Sequence, residues 1–250
     1  MEDRQTGQVQ PPYDLIGDVH GCASELSTLL ARLGWEGTTH PEGRTAVFVG
    51  DLVDRGPDTP GVLRTVMEMA EAGTALCVAG NHEAKLVRAL RGAPVRTSHG
   101  LQESLDQLAR ETQAFRDAVV DFLTGLPHQL VLDEGRLVVA HAGLREDLHG
   151  KDSPRSRSFA LYGDTTGQRD EHGLPVRLPW QRSYRGEAAV VYGHTPVTEA
   201  VWVNNTICLD TGAVFGGRLT ALRYPEREVV DVPAEREWCP PVRPLAPVAD

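Results

Sequence analysis

Asp18 and His20 stand two residues apart in Gly17-Asp18-Val19-His20-Gly21, directly after a short apolar run. Residues i and i+2 of an extended segment share a face, so this carboxylate and imidazole can reach one metal ion together. The flanking glycines remove side chains that would crowd it. Alone, such a pair reads more readily as a turn aspartate beside a surface histidine. Four further clusters change the balance, each just after an apolar run. They are Gly50-Asp51-Leu52-Val53-Asp54-Arg55-Gly56, Gly80-Asn81-His82-Glu83, His141-Ala142-Gly143 and Gly193-His194-Thr195-Pro196.

Asp18, His20, Asp51, Asn81, His141 and His194 together offer carboxylate, imidazole and amide donors. That mixture suits borderline divalent ions, and it is richer in oxygen than a structural zinc site. Six ligands are too many for one closed four-coordinate centre, whereas a bridging carboxylate would make a two-metal site. Two ions roughly 3.5–4 Å apart activate a water and clamp the oxygens of an in-line displacement. Manganese is the expected metal, with Ni, Fe, Co and Zn as alternatives. Arg55 has the planar fork that grips phosphate oxygens. His82 is the candidate general acid, with Asp54 to orient it. Asp210, in Asp210-Thr211-Gly212, reads on its own as a plain turn signal. Asn81 and His82 are also candidate phosphate contacts, and Arg145 and Arg185 candidate substrate contacts.

Apolar spacing supplies the elements that position these groups. Strands are expected at Tyr13–Ile16, 45–49 and 74–79, each followed by a helix, which is the order of an open α/β sheet with ligands at the strand ends. Thr59 is expected to cap the second helix, with Pro60 first inside it. Helical spacing runs from Leu101 to Leu123 with a break near Thr112. A hairpin around Glu134-Gly135 then signals a second sheet, continued by strands at 188–192, 201–203, 206–209, 219–223 and 229–232. Residues 145–187 show no periodicity and are near charge balance, with eight basic and seven acidic residues. A stretch this long and aperiodic is expected to be a substrate rim or lid. The domain plan is therefore a lead-in over 1–12, one domain over 13–235 and a proline-rich tail over 236–250.

Bulk properties narrow the class. With 250 residues, 40% of them hydrophobic, the chain can bury one sizeable core. The formal charge of −10 argues against a coat for long nucleic acid, but not against an enzyme acting on a terminal phosphate. There is no apolar run of membrane-spanning length, and Met1 to Pro12 does not read as a signal peptide. Cys22, Cys77, Cys208 and Cys239 are scattered, as expected of free thiols in a cytoplasmic protein.

The five blocks, in this order, resemble the calcineurin-like metallophosphoesterases over roughly residues 13–235. The resemblance implies an α/β sandwich of two mixed sheets flanked by helices, with the site at the strand ends. It places Asp18, His20 and Asp51 on one metal, and Asp51, Asn81, His141 and His194 on the other. It makes Arg55 a phosphate ligand, pairs His82 with Asp54, and implies direct attack of a metal-bound hydroxide without a phosphoenzyme. Gly193-His194-Thr195-Pro196 departs from the Gly-His-x-His of many members and is similar to the branch of phosphoprotein phosphatases and diadenosine tetraphosphatases. Stretches such as 157–167, 174–180 and 202–212 resemble the phosphatase module of bacterial RNA-repair polynucleotide kinase-phosphatase, where an aspartate matching Asp210 is implicated in activity.

The expected substrate is therefore a 2′ or 3′ phosphate, or a 2′,3′-cyclic phosphate, on an RNA or DNA end or a nucleotide. A separate kinase or ligase could cooperate, since the chain has no kinase P-loop. Symmetrical diadenosine tetraphosphate hydrolysis, serine/threonine phosphoprotein dephosphorylation and a non-catalytic scaffold are the alternatives. Oligomeric state is left open.

Overall fold

The computed structural model describes residues 10–247; most of the expected lead-in and the last three residues lie outside that range. The first half alternates strand and helix: β1 (Tyr13–Ile16), α1 (Ala23–Leu33), β2 (Thr45–Phe48), α2 (Thr59–Glu71), β3 (Ala75–Cys77) and α3 (Asn81–Leu90). The three strands pair in parallel. Helices α4 (Leu101–Leu108) and α5 (Gln113–Gly125) follow, separated where the Thr112 hydroxyl accepts the Phe115 N–H at 3.2 Å.

The second half is built differently. It contains β4 (Leu130–Leu132), β5 (Leu137–Val139), helix α6 (Pro154–Tyr162), the hairpin β6 (Thr165–Arg169) and β7 (Pro175–Arg177), and the short helix α7 (Trp180–Ser183). Strands β8 (Ala189–Tyr192), β9 (Trp202–Val203), β10 (Thr206–Cys208), β11 (Arg218–Tyr224) and β12 (Glu228–Pro233) complete it. One sheet has the order β12-β11-β1-β2-β3 and the other β4-β5-β8-β10-β9, both mixed.

Strand alternation sorts the side chains between layers. Tyr13, Leu15, Val47 and Leu222 point between the sheets, where they meet Leu137, Val139, Val191 and Ile207 of the second sheet. Ile16, Ala46 and Phe48 point the other way, onto Leu26, Leu29, Leu63 and Val66 of the helices. The outer face of the second sheet packs Val138, Val190 and Tyr192 under Phe159 and Trp180. Asp14 breaks the apolar pattern because it is partnered: Arg44 Nε donates to it at 2.7 Å and Trp35 Nε1 at 2.9 Å.

The two-sheet sandwich matches the expected fold class. Three local expectations change. Strands β11 and β12 do not continue the second sheet but return to the first, where β11 pairs antiparallel with β1. The residue capping α2 is Asp58, whose carboxylate accepts the Gly61 N–H at 2.8 Å, while the Thr59 hydroxyl turns inward to Ser104. The aperiodic stretch 145–187 holds α6, the β6–β7 hairpin and α7. Strand β6 is exposed at every residue, so it has no buried face to leave an alternating pattern.

Candidate metal and phosphate site

The ligand-type side chains all lie at one edge of the sandwich, on turns leaving β1, β2, β3, β5 and β8. These turns are tightly wound. His20, Asp51, Asp54, Arg55 and His194 all have φ between 46° and 73°, a left-handed backbone that non-glycine residues adopt at some cost. Glu83 holds one such turn in place. Its buried carboxylate accepts N–H groups from Asp51 (2.8 Å), Leu52 (2.7 Å), Val53 (3.3 Å) and Gly80 (2.8 Å). The last of these comes from Gly80, the residue that caps α3.

Asp51 sits at the centre. Its Oδ2 lies 3.3 Å from His141 Nε2, 3.6 Å from His20 Nε2 and 3.9 Å from His82 Nε2. Two groups of donor atoms therefore share this carboxylate: His20, Asp51 and His82 in one, Asp51, His141 and His194 in the other. Asn81 Oδ1 is 3.0 Å from His141 Nε2, as is His194 Nδ1. Asp18 lies alongside, with Oδ2 accepting the His194 N–H at 3.0 Å and a buried Oδ1 that has no partner. A side chain at residue 193 would strike that oxygen, since a Cβ on Gly193 would fall 1.8 Å from it.

The donor set fits divalent cations. His20 Nδ1 lies 2.8 Å from the Val53 carbonyl and His141 Nδ1 lies 3.0 Å from that of Val49. A carbonyl only accepts, so each Nδ1 carries the proton. His20 Nε2 is left with a lone pair, which faces Arg55 Nη1, whereas the Asp51 carboxylate beside His141 Nε2 outweighs burial and raises that imidazole. Burial, then Arg55, holds His20 well below the usual imidazole range, and burial, then His141, does the same for His194. Both are neutral, as metal ligands must be. The carboxylates show the complementary strain. Burial, then Asp210 and Asp51, pushes Asp18 well above the ordinary range, and burial raises Asp210 to about 6. Burial acts on Asp51 too, but His141 and His82 outweigh it and keep that carboxyl well below its ordinary value. A crowd of buried carboxylates, with Asp18 Oδ1 and Asp54 Oδ1 unpartnered, is an environment that cations stabilise.

Beside this cluster, His82 Nδ1 is 2.7 Å from Asp54 Oδ2, and Asp54 is fully buried with its N–H donated to Ser104. The Arg55 guanidinium reaches His20 Nε2 through Nη1 and lies 3.0 Å from His82 Nε2 through Nη2. It also packs over the Phe215 ring, at 5.2 Å. Asp210 is buried and accepts the Gly212 N–H at 3.1 Å, so it both closes a turn and faces Asp18 electrostatically.

Two arginines singled out in the sequence lie elsewhere. Arg145 pairs with Asp147 at 3.2 Å and lies over Phe159, and exposed Arg185 donates to the carbonyls of Arg182 and Tyr184. Neither lines the cavity above the cluster. Their neighbours within the 145–187 stretch already satisfy them.

That cavity, of about 320 Å³, is instead walled by Arg55, Arg169, Arg177 and Arg243, with Asp51, Asn81, His82 and His194 in its floor. Arg177 was not singled out in the sequence. Its Nη2 lies 2.7 Å from His194 Nε2, at the opposite end of the cluster from Arg55. It comes from the half-buried strand β7 of the hairpin, and the only signal was a basic residue within the Leu174-Pro-Val-Arg-Leu-Pro-Trp180 stretch. Arg243, 3.5 Å from Asp170, comes from the proline-rich segment beyond Glu235, which forms part of the cavity wall.

Comparison with known proteins agrees with this geometry. A family model for calcineurin-like phosphoesterases matches residues 11–225. The bis(5′-nucleosyl)-tetraphosphatase PrpE (asymmetrical) of Anoxybacillus flavithermus is 46% identical over 230 residues, covering 89% of this chain and 94% of that protein. Its counterpart in Bacillus thuringiensis is 42% identical over 237 residues, covering 91% and 96%. Among solved structures, a protein described as a candidate diadenosine tetraphosphatase superposes with a TM-score of 0.66 at 28% identity, covering 90% of this chain and 95% of that one. A serine/threonine phosphatase from Saccharomyces cerevisiae shares the fold at 15% identity, with a TM-score of 0.61 over 89% and 79% of the two chains. With its ligand clusters at one sheet edge and this match along most of its length, the chain belongs to the calcineurin-like phosphoesterase family and is a phosphoester hydrolase.

Proposed function

We propose that this protein hydrolyses dinucleoside tetraphosphates asymmetrically, releasing a nucleoside triphosphate and a nucleoside monophosphate. The observation that carries this reading is the set of four guanidiniums around one cavity, two of them at opposite ends of the metal-ligand cluster. A single terminal phosphate needs fewer cations than this. A chain of four phosphates extends past both ends of the cluster and meets Arg55 on one side and Arg177 on the other. The names of relatives at 46% and 42% identity point the same way. They give no support to RNA or DNA ends as substrates, nor to a kinase or ligase partner. The metal blocks are common to all these substrates, whereas the rim that separates them is the part of the sequence without periodicity.

In this reading Asp18, His20, Asp51, Asn81, His141 and His194 hold two divalent ions, with manganese the proposed metal. When bound, such ions supply positive charge to the phosphoryl oxygens and make water a nucleophile at neutral pH. The protein's own groups do the rest. Arg55 grips and orients the attacked phosphoryl group. His82, fixed through Nδ1 by Asp54, presents Nε2 to the leaving oxygen and holds or gives a proton there. Asp210 steadies the turn behind Asp18.

The test compares kcat/KM of the manganese-loaded enzyme for diadenosine tetraphosphate, an RNA 3′-phosphate and a phosphoserine peptide, with Asp51→Asn as the blank. The dinucleotide is expected to lead by tenfold or more, about 1.4 kcal/mol of transition-state preference. A lead by either of the other two contradicts the proposal.

A further inference from the structure

A second cavity, about 410 Å³, lies beside the first and shares Arg177, His194, Pro196, Arg243 and Pro244 with it. Its remaining walls are largely apolar, with Trp180, Leu178, Tyr192 and Val197 on the side of the second sheet. Ala246 and Pro247 of the C-terminal segment close the other side. That segment is seated on the sandwich rather than merely passing over it: Val197 bridges Ala246 in parallel, and the Thr198 N–H donates to the Ala246 carbonyl at 3.1 Å. Gln181, Asp164, Thr195 and Arg182 add hydrogen-bonding groups to the lining.

Of the proposed metal ligands, His194 lines this second cavity, with Arg177 donating to it. A volume of this size with mostly apolar walls and few polar groups is the common form of a small-molecule site. Its boundary with the catalytic cavity carries two guanidiniums, and the buried Nε of Arg177 has no partner. A ligand spanning that boundary is therefore apolar at one end and anionic where it passes Arg177 and Arg243.

We infer that this cavity seats one nucleoside of the substrate, with Arg177 and Arg243 contacting the phosphates that join it to the metal cluster. The inference rests on the dinucleoside tetraphosphate reading and adds to it a subsite and the residues that form it. The apolar walls take the base, and Gln181 and Asp164 take its polar edge or the ribose hydroxyls. The C-terminal segment thereby becomes a determinant of specificity, because without it the subsite has one wall fewer.

Ala246→Trp tests this by filling the cavity from the exposed segment. The readout is the ratio of kcat/KM for diadenosine tetraphosphate to that for p-nitrophenyl phosphate, which has no nucleoside. A fall in this ratio of fivefold or more relative to the unaltered protein is the expected result, and a smaller change overturns the inference. A second measurement, independent of turnover and of how that variant folds, titrates ATP against tryptophan fluorescence in the unaltered protein and in Trp180→Phe. Quenching that disappears in Trp180→Phe is expected, whereas equal quenching in both proteins, or none in the unaltered one, overturns the subsite. If diadenosine tetraphosphate proves a poor substrate from the start, the substrate reading fails, and the ATP titration still decides the cavity.

Discussion

The Glu83 carboxylate holds the backbone of Asp51 from below, accepting its N–H at 2.8 Å, while the Asp51 side chain faces the imidazoles above. Glu83 reaches no substrate. It fixes the left-handed turn that carries the central carboxylate, and is a positioning residue. Glu83→Gln keeps the shape but turns an NH2 toward backbone N–H groups, leaving buried donors unpaired at about 1–3 kcal/mol each. We predict a lower thermal midpoint, with metal affinity by calorimetry falling more than KM rises, and Glu83→Gln that retains both would remove this role.

Gly193 is required by space. A methyl group there would lie 1.8 Å from the unpartnered Asp18 oxygen. Gly193→Ala is predicted to displace Asp18 and cut divalent-ion affinity at least tenfold, about 1.4 kcal/mol. Calorimetric titration with manganese, alongside circular dichroism to show a folded protein, checks this. Unaltered affinity would mean that Asp18 is not a ligand.

His82 should matter in proportion to the leaving group. A phosphate departs as a stable anion, whereas a serine alkoxide needs a proton as it leaves. His82→Ala is therefore predicted to lose about 100-fold or more in kcat on a phosphoserine peptide, and distinctly less on a dinucleoside polyphosphate. Equal losses on both would assign His82 to metal or phosphate binding instead, a role its distance of 3.9 Å from Asp51 also permits.

Far from the site, Asp133 accepts a hydrogen bond from Tyr224 Oη at 2.5 Å and is paired with Arg136. Hydrogen bonding to Arg136 holds the Asp133 carboxyl below its ordinary value of 3.8. A depressed folded-state pKa contributes stability that is fully present above the unfolded value and is lost as pH falls through the folded one. The stability gap between the unaltered protein and Asp133→Asn should thus be constant from about pH 7 to about pH 5 and shrink below about pH 4. Urea unfolding across that range tests it, and a gap that widens in acid would contradict the sign.

Sequence spacing made the floor of the site legible and left its walls obscure, for a physical reason. Asp18, Asp51, Asn81, His141 and His194 each follow a buried strand, so apolar runs announce them. Arg177 ends a three-residue strand that is half-buried throughout, and Arg243 lies in a proline-rich segment, so neither sits in an alternating pattern. Arg145 and Arg185 were equally plausible by composition, and only tertiary contacts separate them from Arg177. Glu83 stood in view inside Gly80-Asn81-His82-Glu83, but its task is to accept backbone N–H groups across more than thirty residues of chain. Residue type alone does not reveal that. The switch from helix-linked strands to a hairpin announced a second sheet, but not that β11 and β12 return to the first, because pairing with β1 leaves the same apolar alternation as pairing in the other sheet.

The central claim is the position of the cut. Diadenosine tetraphosphate incubated with the manganese-loaded enzyme, with products resolved by ion-exchange chromatography, tests it most directly. Equal amounts of ATP and AMP appearing together from the first time points are predicted. ADP as the primary product would mean symmetrical cleavage, and no turnover while an RNA 3′-phosphate is consumed would return the enzyme to nucleic-acid ends.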